Sequence, residues 1–399
     1  MTDISINNLH VLDLPDEVLL IIMKRLSMVN VLYSLVGVCK RLDQLVFDTN
    51  CTHHLDMTSM TMRSFYDRTY SIEDRILSRN FQKIVPRICH QVNKLTIEPN
   101  TVQRVLQTAS YLKLYSISFM NFPQEEFVDH LRNNTILREL LTNQVTCLLI
   151  DIKHETISQQ PPEILGIIVA YVIYLCKSLV NTVSVIISYF VTKLLKLKRF
   201  SLISYSRTSY YDDLIIPLLQ RMINVEELIL FLSVIRTNTN YIDGAELHDN
   251  VLNDMPQLNK FTFNIDTNIV KNTNIDLSSY EDIQLSFVRK KYGRVNSHVE
   301  IFSNESHTYS RLPEFYSRCH IYSLPYQFQT YVDLNNSFQG GTFNTVQSLF
   351  MTDLNPFEYN FFQIISHSFP YLKSLYITND QPQKGKQQSK TSITFPCLI

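Results

Sequence analysis

The chain of 399 residues contains only seven glycines, and none of them stands in a phosphate-binding loop. This scarcity argues against a doubly wound nucleotide-binding fold. The sequence also lacks Gly-x-Ser-x-Gly, His-Glu-x-x-His and Walker patterns, so no motif nominates a hydrolase nucleophile, a zinc protease or a nucleotidase. We therefore predict no cofactor, and an enzyme remains open only through residues that the fold brings together in space.

The seven cysteines are scattered and form no Cys-x-x-Cys pair. An odd number without a spacing pattern predicts reduced thiols, which is typical of a cytoplasmic or nuclear protein, and the first ten residues predict no secretory signal. Cys89-His90 and Cys319-His320 pair metal-capable residues. Neither pair has the spaced second pair that a zinc site needs, so we predict no metal site.

The chain also lacks a large net charge, because 36 basic residues nearly balance 37 acidic ones. We therefore expect neither nucleic acid nor an anionic membrane as a partner. The most apolar stretch, residues 164–192, is long enough to cross a bilayer. Lys177 sits in its middle and serines and an asparagine interrupt its second half, so we predict a buried helix and strand. Membrane association through this stretch is the alternative.

Three short amphipathic helices are predicted near the amino end. Pro15 suits a first helical position with Asp13 as its cap, Asn30 can cap a second helix, and a third apolar stripe begins at Val38. About forty residues are too few to bury every stripe, so an apolar face is left for a partner. The apolar residues of the first helix recur at three- and four-residue spacing, at Val18, Leu19, Ile22, Met23 and Leu26.

These residues also carry a resemblance. Leu14-Pro15-x-Glu17, then Ile22 and Leu26 in register, then Val-Cys-Lys-Arg at 38–41, resembles an F-box, the three-helix domain that docks substrate receptors onto SCF-type (Skp, cullin, F-box) ubiquitin ligases. The family usually has Trp after this run, where this chain has Leu42, which keeps packing but loses aromatic area. The resemblance implies an F-box over residues 9–50 whose adaptor-facing positions are Leu14, Pro15, Glu17, Ile22, Leu26, Val38 and Cys39.

Beyond residue 50 a short phrase recurs, in which an apolar residue is followed by two variable positions and then by two alternating apolar residues. Successive first positions lie 22, 31, 52, 28, 33, 88 and 26 residues apart. This period predicts an α/β fold, an irregular leucine-rich-repeat-like solenoid (horseshoe) over residues 51–399, with each phrase a parallel strand. An ordinary α/β domain is the alternative. The phrases begin at Val92, Leu114, Val145, Leu197, Val225, Leu258, Val346 and Leu372, with a weak one at Thr52.

Phe369-Pro370-Tyr371-Leu372 is echoed by Phe395-Pro396-Cys397-Leu398, 26 residues later (395 − 369). Since the sequence stops at Ile399, we expect the last repeat to be truncated inside its strand.

The remaining recognition signal is a group of aromatic and basic residues. After the strand at Phe200 we predict a polar loop, and exposed Tyr and Arg often make recognition contacts. The resemblance implies a non-catalytic substrate-receptor subunit. One domain would bind a Skp-type adaptor and a cullin-RING ligase core, and the other would bind a protein substrate. An F-box-like scaffold unconnected to ubiquitin is the alternative. The candidate substrate-binding residues are Tyr205, Arg207, Tyr210 and Tyr211.

Overall fold

The structure is a computed structural model of the whole chain. Its contacts divide the chain into two compact units, one comprising Met1–Val234 and His248–Phe261 and the other Ile235–Leu247 and Thr262–Ile399. The residues that it describes are 11–26, 28–47, 52–58, 84–152, 196–237, 239–270, 277–288, 293–301, 315–353, 355–379 and 393–398.

The first unit contains a sheet of parallel strands that follow one another in chain order. The strands coincide with the repeated phrases of the sequence, so the prediction of parallel strands is confirmed here. The strands are β1 (His54–Asp56), β2 (Lys94–Ile97), β3 (Ser116–Phe122), β4 (Cys147–Ile152), β5 (Arg199–Thr208) and β6 (Glu227–Arg236).

The register explains why the phrase recurs. Equivalent apolar positions of neighbouring strands are paired, so they form continuous rows in one core. All members of the central row are at most 1% exposed. Removing such a side chain to alanine typically costs about 2–5 kcal/mol, so the rows account for a large part of the stability. The central row is Leu55, Leu95, Ile117, Leu148, Phe200 and Leu228.

Helices connect these strands, and several carry recognisable start signals. Pro99 opens α5 behind a reciprocal cap between Glu98 and Thr101, and the side chain of Asn134 accepts a hydrogen bond from the Leu137 amide at the start of α7. Among its described residues, the α-helices of this unit are α1 (Asp16–Met23), α2 (Met28–Leu35), α3 (Lys40–Val46), α4 (Val85–Ile88), α5 (Pro99–Thr108), α6 (Gln124–Asn133), α7 (Thr135–Asn143) and α8 (Ile216–Leu219).

The second unit departs from the parallel pattern. Strand β9 (Phe315–Leu324) pairs antiparallel with both β7 (Lys260–Val270) and β8 (Arg294–Ile301). The interval of 88 residues between the phrases at Leu258 and Val346 therefore contains antiparallel strands. Helices α9 (Gly244–Leu247) and α10 (Tyr280–Phe287) accompany them.

A second parallel sheet completes this unit. Strands β10 (Thr330–Leu334), β11 (Ser348–Thr352) and β12 (Ser374–Thr378) pair in chain order, with α11 (Tyr359–Ser368) between the last two. The phrases at Val346 and Leu372 lead into β11 and β12, and both residues are at most 1% exposed. A mixed α/β fold with a large, mostly parallel sheet is thus confirmed.

Two local expectations are wrong. Helix α1 begins at Asp16 behind Pro15, and Asp13 ends a 3-10 turn without capping the helix. Helix α2 begins at Met28, so Asn30 lies inside it.

Across the part of the chain described, no helix is both long and apolar enough to cross a membrane. The stretch 164–192 lies outside the described residues.

Candidate functional site

The three N-terminal helices share a small core. Leu19 and Met23 of α1 are buried, as are Leu32 of α2 and Leu42 and Val46 of α3. The position where the F-box family usually has Trp is therefore a core position in this chain, and Leu42 fills it. Because one side of α1 is used in this core, its remaining apolar residues must point elsewhere.

The apolar residues on the other side of α1, and Leu26 in the turn that follows it, are exposed. Ile21 is 60% exposed, Ile22 is 42% and Leu26 is 48%. The single stripe expected from the sequence is thus divided between a buried side and an outward side. We call the outward residues Pro15, Ile21, Ile22, Leu26 and Val38 the N-terminal apolar face.

Arg41 joins the amino ends of α1 and α3. Its guanidinium donates to Asp16 Oδ1 at 2.7 Å, to the Leu14 carbonyl at 2.7 Å, and to the Leu12 carbonyl. The ion pair with Asp16 is solvent-exposed and worth little alone, but the bonds to two carbonyls fix the backbone that carries Leu14. This places Leu14 and Pro15 beside the segment that leads into α3.

The turn before α3 presents Val38 to solvent. Gly37 has φ of 82°, a conformation that glycine adopts without strain, and its N–H donates to Asp43 Oδ1 at 2.7 Å. Cys39 then caps α3, since its Sγ accepts from the Leu42 amide at 3.5 Å. Val38 between them is 60% exposed.

All of the predicted adaptor-facing positions therefore lie in one small helical region. Pro15, Glu17, Ile22, Leu26 and Val38 are exposed, and the structure leaves Leu14 and Cys39 half-buried.

The predicted substrate-binding residues lie elsewhere than expected. Tyr205 and Arg207 belong to β5, so the polar loop predicted after Phe200 is wrong for them. Tyr205 is half-buried against the ring of Phe231, with centroids 4.8 Å apart. Tyr211 is fully buried, because it begins a π-helical turn whose apolar side packs into the core, and Tyr210 before it is half-buried. Tyr211 thus offers no surface to a partner.

A second cluster, in the other unit, was not predicted. Asp266 of β7 and Arg318 of β9 form a buried ion pair of 2.6 Å, and Arg318 also donates to the Asp333 carbonyl at 2.7 Å. Glu300 of β8 lies 3.8 Å from the same guanidinium. These contacts tie the antiparallel strands to β10 within this unit.

Glu300 collects several hydrogen bonds around one carboxylate oxygen. His298 Nε2 lies 2.9 Å from Oε1, and the Asn335 amide and the Ser337 hydroxyl donate to the same oxygen. Burial alone would raise the pKa of Glu300, but these bonds and the charge of Arg318 outweigh burial and lower its pKa to about 2. Glu300 is therefore held as a carboxylate.

His320 lies in the same unit and is fully buried. Its Nε2 is 2.8 Å from Asn264 Oδ1, and its Nδ1 is 3.4 Å from the Tyr331 hydroxyl. Burial, followed by the charge of Arg318, lowers the pKa of His320 well below its usual value. The ring is therefore neutral, as expected for a packed strand residue.

Ser337, His298 and Glu300 are the residue types of a nucleophilic triad, but their geometry differs from one. The Ser337 hydroxyl lies 2.8 Å from His298 Nε2, the same ring nitrogen that contacts Glu300. In a triad the acid holds the other ring nitrogen, so that Nε2 is left to accept the serine proton. These contacts join the three side chains in one hydrogen-bonded group whose geometry is not that of a triad.

The sequence did carry a signal for this cluster. Asn264, Asp266, Thr267 and Asn268 are polar residues inside β7, and each is at most 2% exposed. Consecutive polar residues in a strand buried on both faces need partners from the neighbouring strands. The recurring phrase consists of apolar positions alone, so it does not reveal these polar residues.

Among the described residues, no group of three or more His, Cys, Asp or Glu side chains has an arrangement that could hold a metal ion. The chain matches no model of a known protein family, and it matches no curated protein.

Proposed function

We propose that the chain is a substrate-receptor subunit of an SCF-type cullin-RING ubiquitin ligase. Residues 9–50 would dock a Skp-type adaptor as an F-box, and the strand-rich remainder would bind a protein substrate. The observation that carries the proposal is the exposure of the N-terminal apolar face at the positions where the motif resembles the family's adaptor-facing ones.

Physical chemistry supports docking at this face. Ile21, Ile22, Leu26 and Val38 are large apolar side chains that stay 42–60% exposed in a protein with buried cores available. Clustered exposed apolar residues are typical of protein interaction sites. The Arg41 contacts hold the start of α1 in place before a partner arrives, which reduces the entropy lost on binding.

The proposed role is proximity. A receptor that holds a substrate beside a ubiquitin-carrying enzyme raises the effective concentration of the substrate and needs no catalytic residue of its own. The chain would act in the cytoplasm or nucleus, as part of a complex with the adaptor and the cullin.

The first test is binding of the purified full chain to a purified Skp-type adaptor, measured by titration calorimetry. We expect binding by the wild type and a loss of about a hundredfold in affinity for Ile22→Ser with Leu26→Ser, because central apolar contacts contribute about 1–2 kcal/mol each. Both side chains are exposed, so the change should leave the fold intact. Leu14→Ala is a poorer test because Leu14 is half-buried beside the Arg41 contacts.

The matched control is Leu112→Ser. Leu112 is 78% exposed, more than any residue of the N-terminal apolar face, and lies in the turn after α5. It should bind the adaptor as the wild type does. Equal binding by the double variant, or no binding by the wild type, would contradict the proposal.

A further inference from the structure

A groove of about 470 Å³ lies in the second unit. Most of its lining comes from the turns directly before β10, β11 and β12. This volume is within the usual range for ligand sites. Its lining residues are Gln327, Gln329, Asn344, Thr345, Gln347, Tyr371, Lys373 and Cys397.

The lining has a repeating geometry. The Gln347 N–H donates to the Gln329 carbonyl at 2.8 Å, and the Lys373 N–H donates to the Gln347 carbonyl at 2.8 Å. These bonds align the residues directly before the three strands in one row at strand spacing, about 4.8 Å. The groove therefore has a wall of side chains in fixed register.

A second row follows from the repeat of 26 residues. Thr345, Tyr371 and Cys397 are spaced equally (371 − 345 and 397 − 371), and each lies in a turn closed by the same type of backbone bond. The bond from Leu398 to Phe395, 3.3 Å, repeats that from Leu372 to Phe369, 3.2 Å. The turn at Cys397 thus extends the groove by one more repeat.

The chemistry of the lining selects a class of ligand. In the described part of the chain, the side-chain amides of Gln327, Gln329 and Gln347 form no hydrogen bond, so each offers a donor and an acceptor. Lys373 is the one charged residue of the lining, and it forms no ion pair with any residue that the structure describes. The groove therefore suits a ligand with alternating donors and acceptors and one anionic group.

We propose that this groove binds an extended polypeptide segment that carries an anionic group opposite Lys373. An extended backbone presents N–H and C=O groups alternately, so it can both donate to and accept from the glutamine amides. The ring of Tyr371, which is 55% exposed, can pack against a side-chain stem. The inference rests on the proposed function only in assigning this segment to the substrate. The anion can be a carboxylate or a phosphoryl group.

The test uses four pools of fluorescent ten-residue peptides, degenerate except for a fixed central Glu, phosphoserine, Gln or Lys. Binding to the full chain is followed by fluorescence polarisation. We expect the Glu or phosphoserine pool to bind about three- to fivefold more tightly than the Gln pool, because a partly exposed ion pair contributes up to about 1 kcal/mol. The stronger of the two anionic pools identifies the source of the charge.

Variants at Lys373 make the test specific. Lys373→Gln should abolish the difference between the anionic pools and the Gln pool, and Lys373→Glu should reverse the preference towards the Lys pool. Lys113→Glu, at an exposed lysine of the other unit, should change nothing. No binding by any pool, equal binding by all four, or an unchanged preference in Lys373→Glu would overturn the inference.

Adaptor binding is measured on the same preparations. It should be independent of Lys373, and peptide binding should be independent of Ile22. If the peptides do not bind the groove, the adaptor measurement still tests the proposed function. If the adaptor does not bind, the peptide pools still test the groove.

Discussion

Replacing Glu300 by glutamine tests the buried ionic cluster of the second unit. The pKa of this carboxyl falls from 4.5 to about 2 on folding. At about 1.36 kcal/mol for each unit of pKa, the ionised carboxylate contributes about 3 kcal/mol to the stability of this unit at neutral pH. Glutamine keeps the shape and one acceptor but loses the charge that faces Arg318.

The sign of the pH dependence follows from the direction of the pKa change. Because the folded pKa is below the unfolded one, the stabilisation is complete above pH 4.5 and is lost as the pH falls towards 2. Glu300→Gln should therefore be less stable than the wild type by about 3 kcal/mol at pH 7. The difference should shrink below pH 4.5 and vanish near pH 2.

The assay is hydrogen exchange of peptides from β7 to β10 at several pH values, since it reports local free energies of opening in this unit. Glu281→Gln, at an exposed glutamate of α10, is the control and should behave as the wild type. A Glu300→Gln effect that is absent at pH 7, or that is the same at pH 7 and pH 2.5, would refute the reasoning.

Two further predictions concern the helices. Gly244→Ala places a Cβ 2.6 Å from the Ser286 carbonyl oxygen, where backbone must move, so it should lower the stability of the second unit by about 1–3 kcal/mol in denaturant unfolding. Stability equal to the wild type would contradict this contact. Asn134→Ala removes the acceptor for the Leu137 amide at the start of α7 and should cost about 1 kcal/mol in the same assay, whereas Asn134→Asp should retain most of the stability.

The parallel strands were predictable from the sequence because the apolar residues of their core have the same spacing in each strand. Equivalent apolar residues of neighbouring parallel strands are paired, so each strand repeats the same apolar spacing. Leu95, Ile117 and Leu148 pair in this way. The antiparallel strands β8 and β9 break this relation. Their pairing is set by contacts between residues such as His298 and His320 that share no period in the sequence.

The candidate site was predictable in part. The positions of Ile22, Leu26 and Val38 followed from the motif, and the structure leaves all three exposed. Sequence periodicity did not separate Leu19 from Ile22, because both fit the same helical stripe, and only the packing of the folded chain decides which one is buried. Tyr211 was misplaced for a similar reason, since a tyrosine beside polar residues in sequence can still point into a core.

The most direct test of the central claim is a footprint of adaptor binding. Hydrogen exchange of the full chain should be compared with and without a purified Skp-type adaptor. The account predicts that protection increases within residues 11–26 and 38–41 and that exchange elsewhere in the first unit is little changed. Unchanged exchange in both segments at saturating adaptor, or protection confined to residues 205–211, would contradict it.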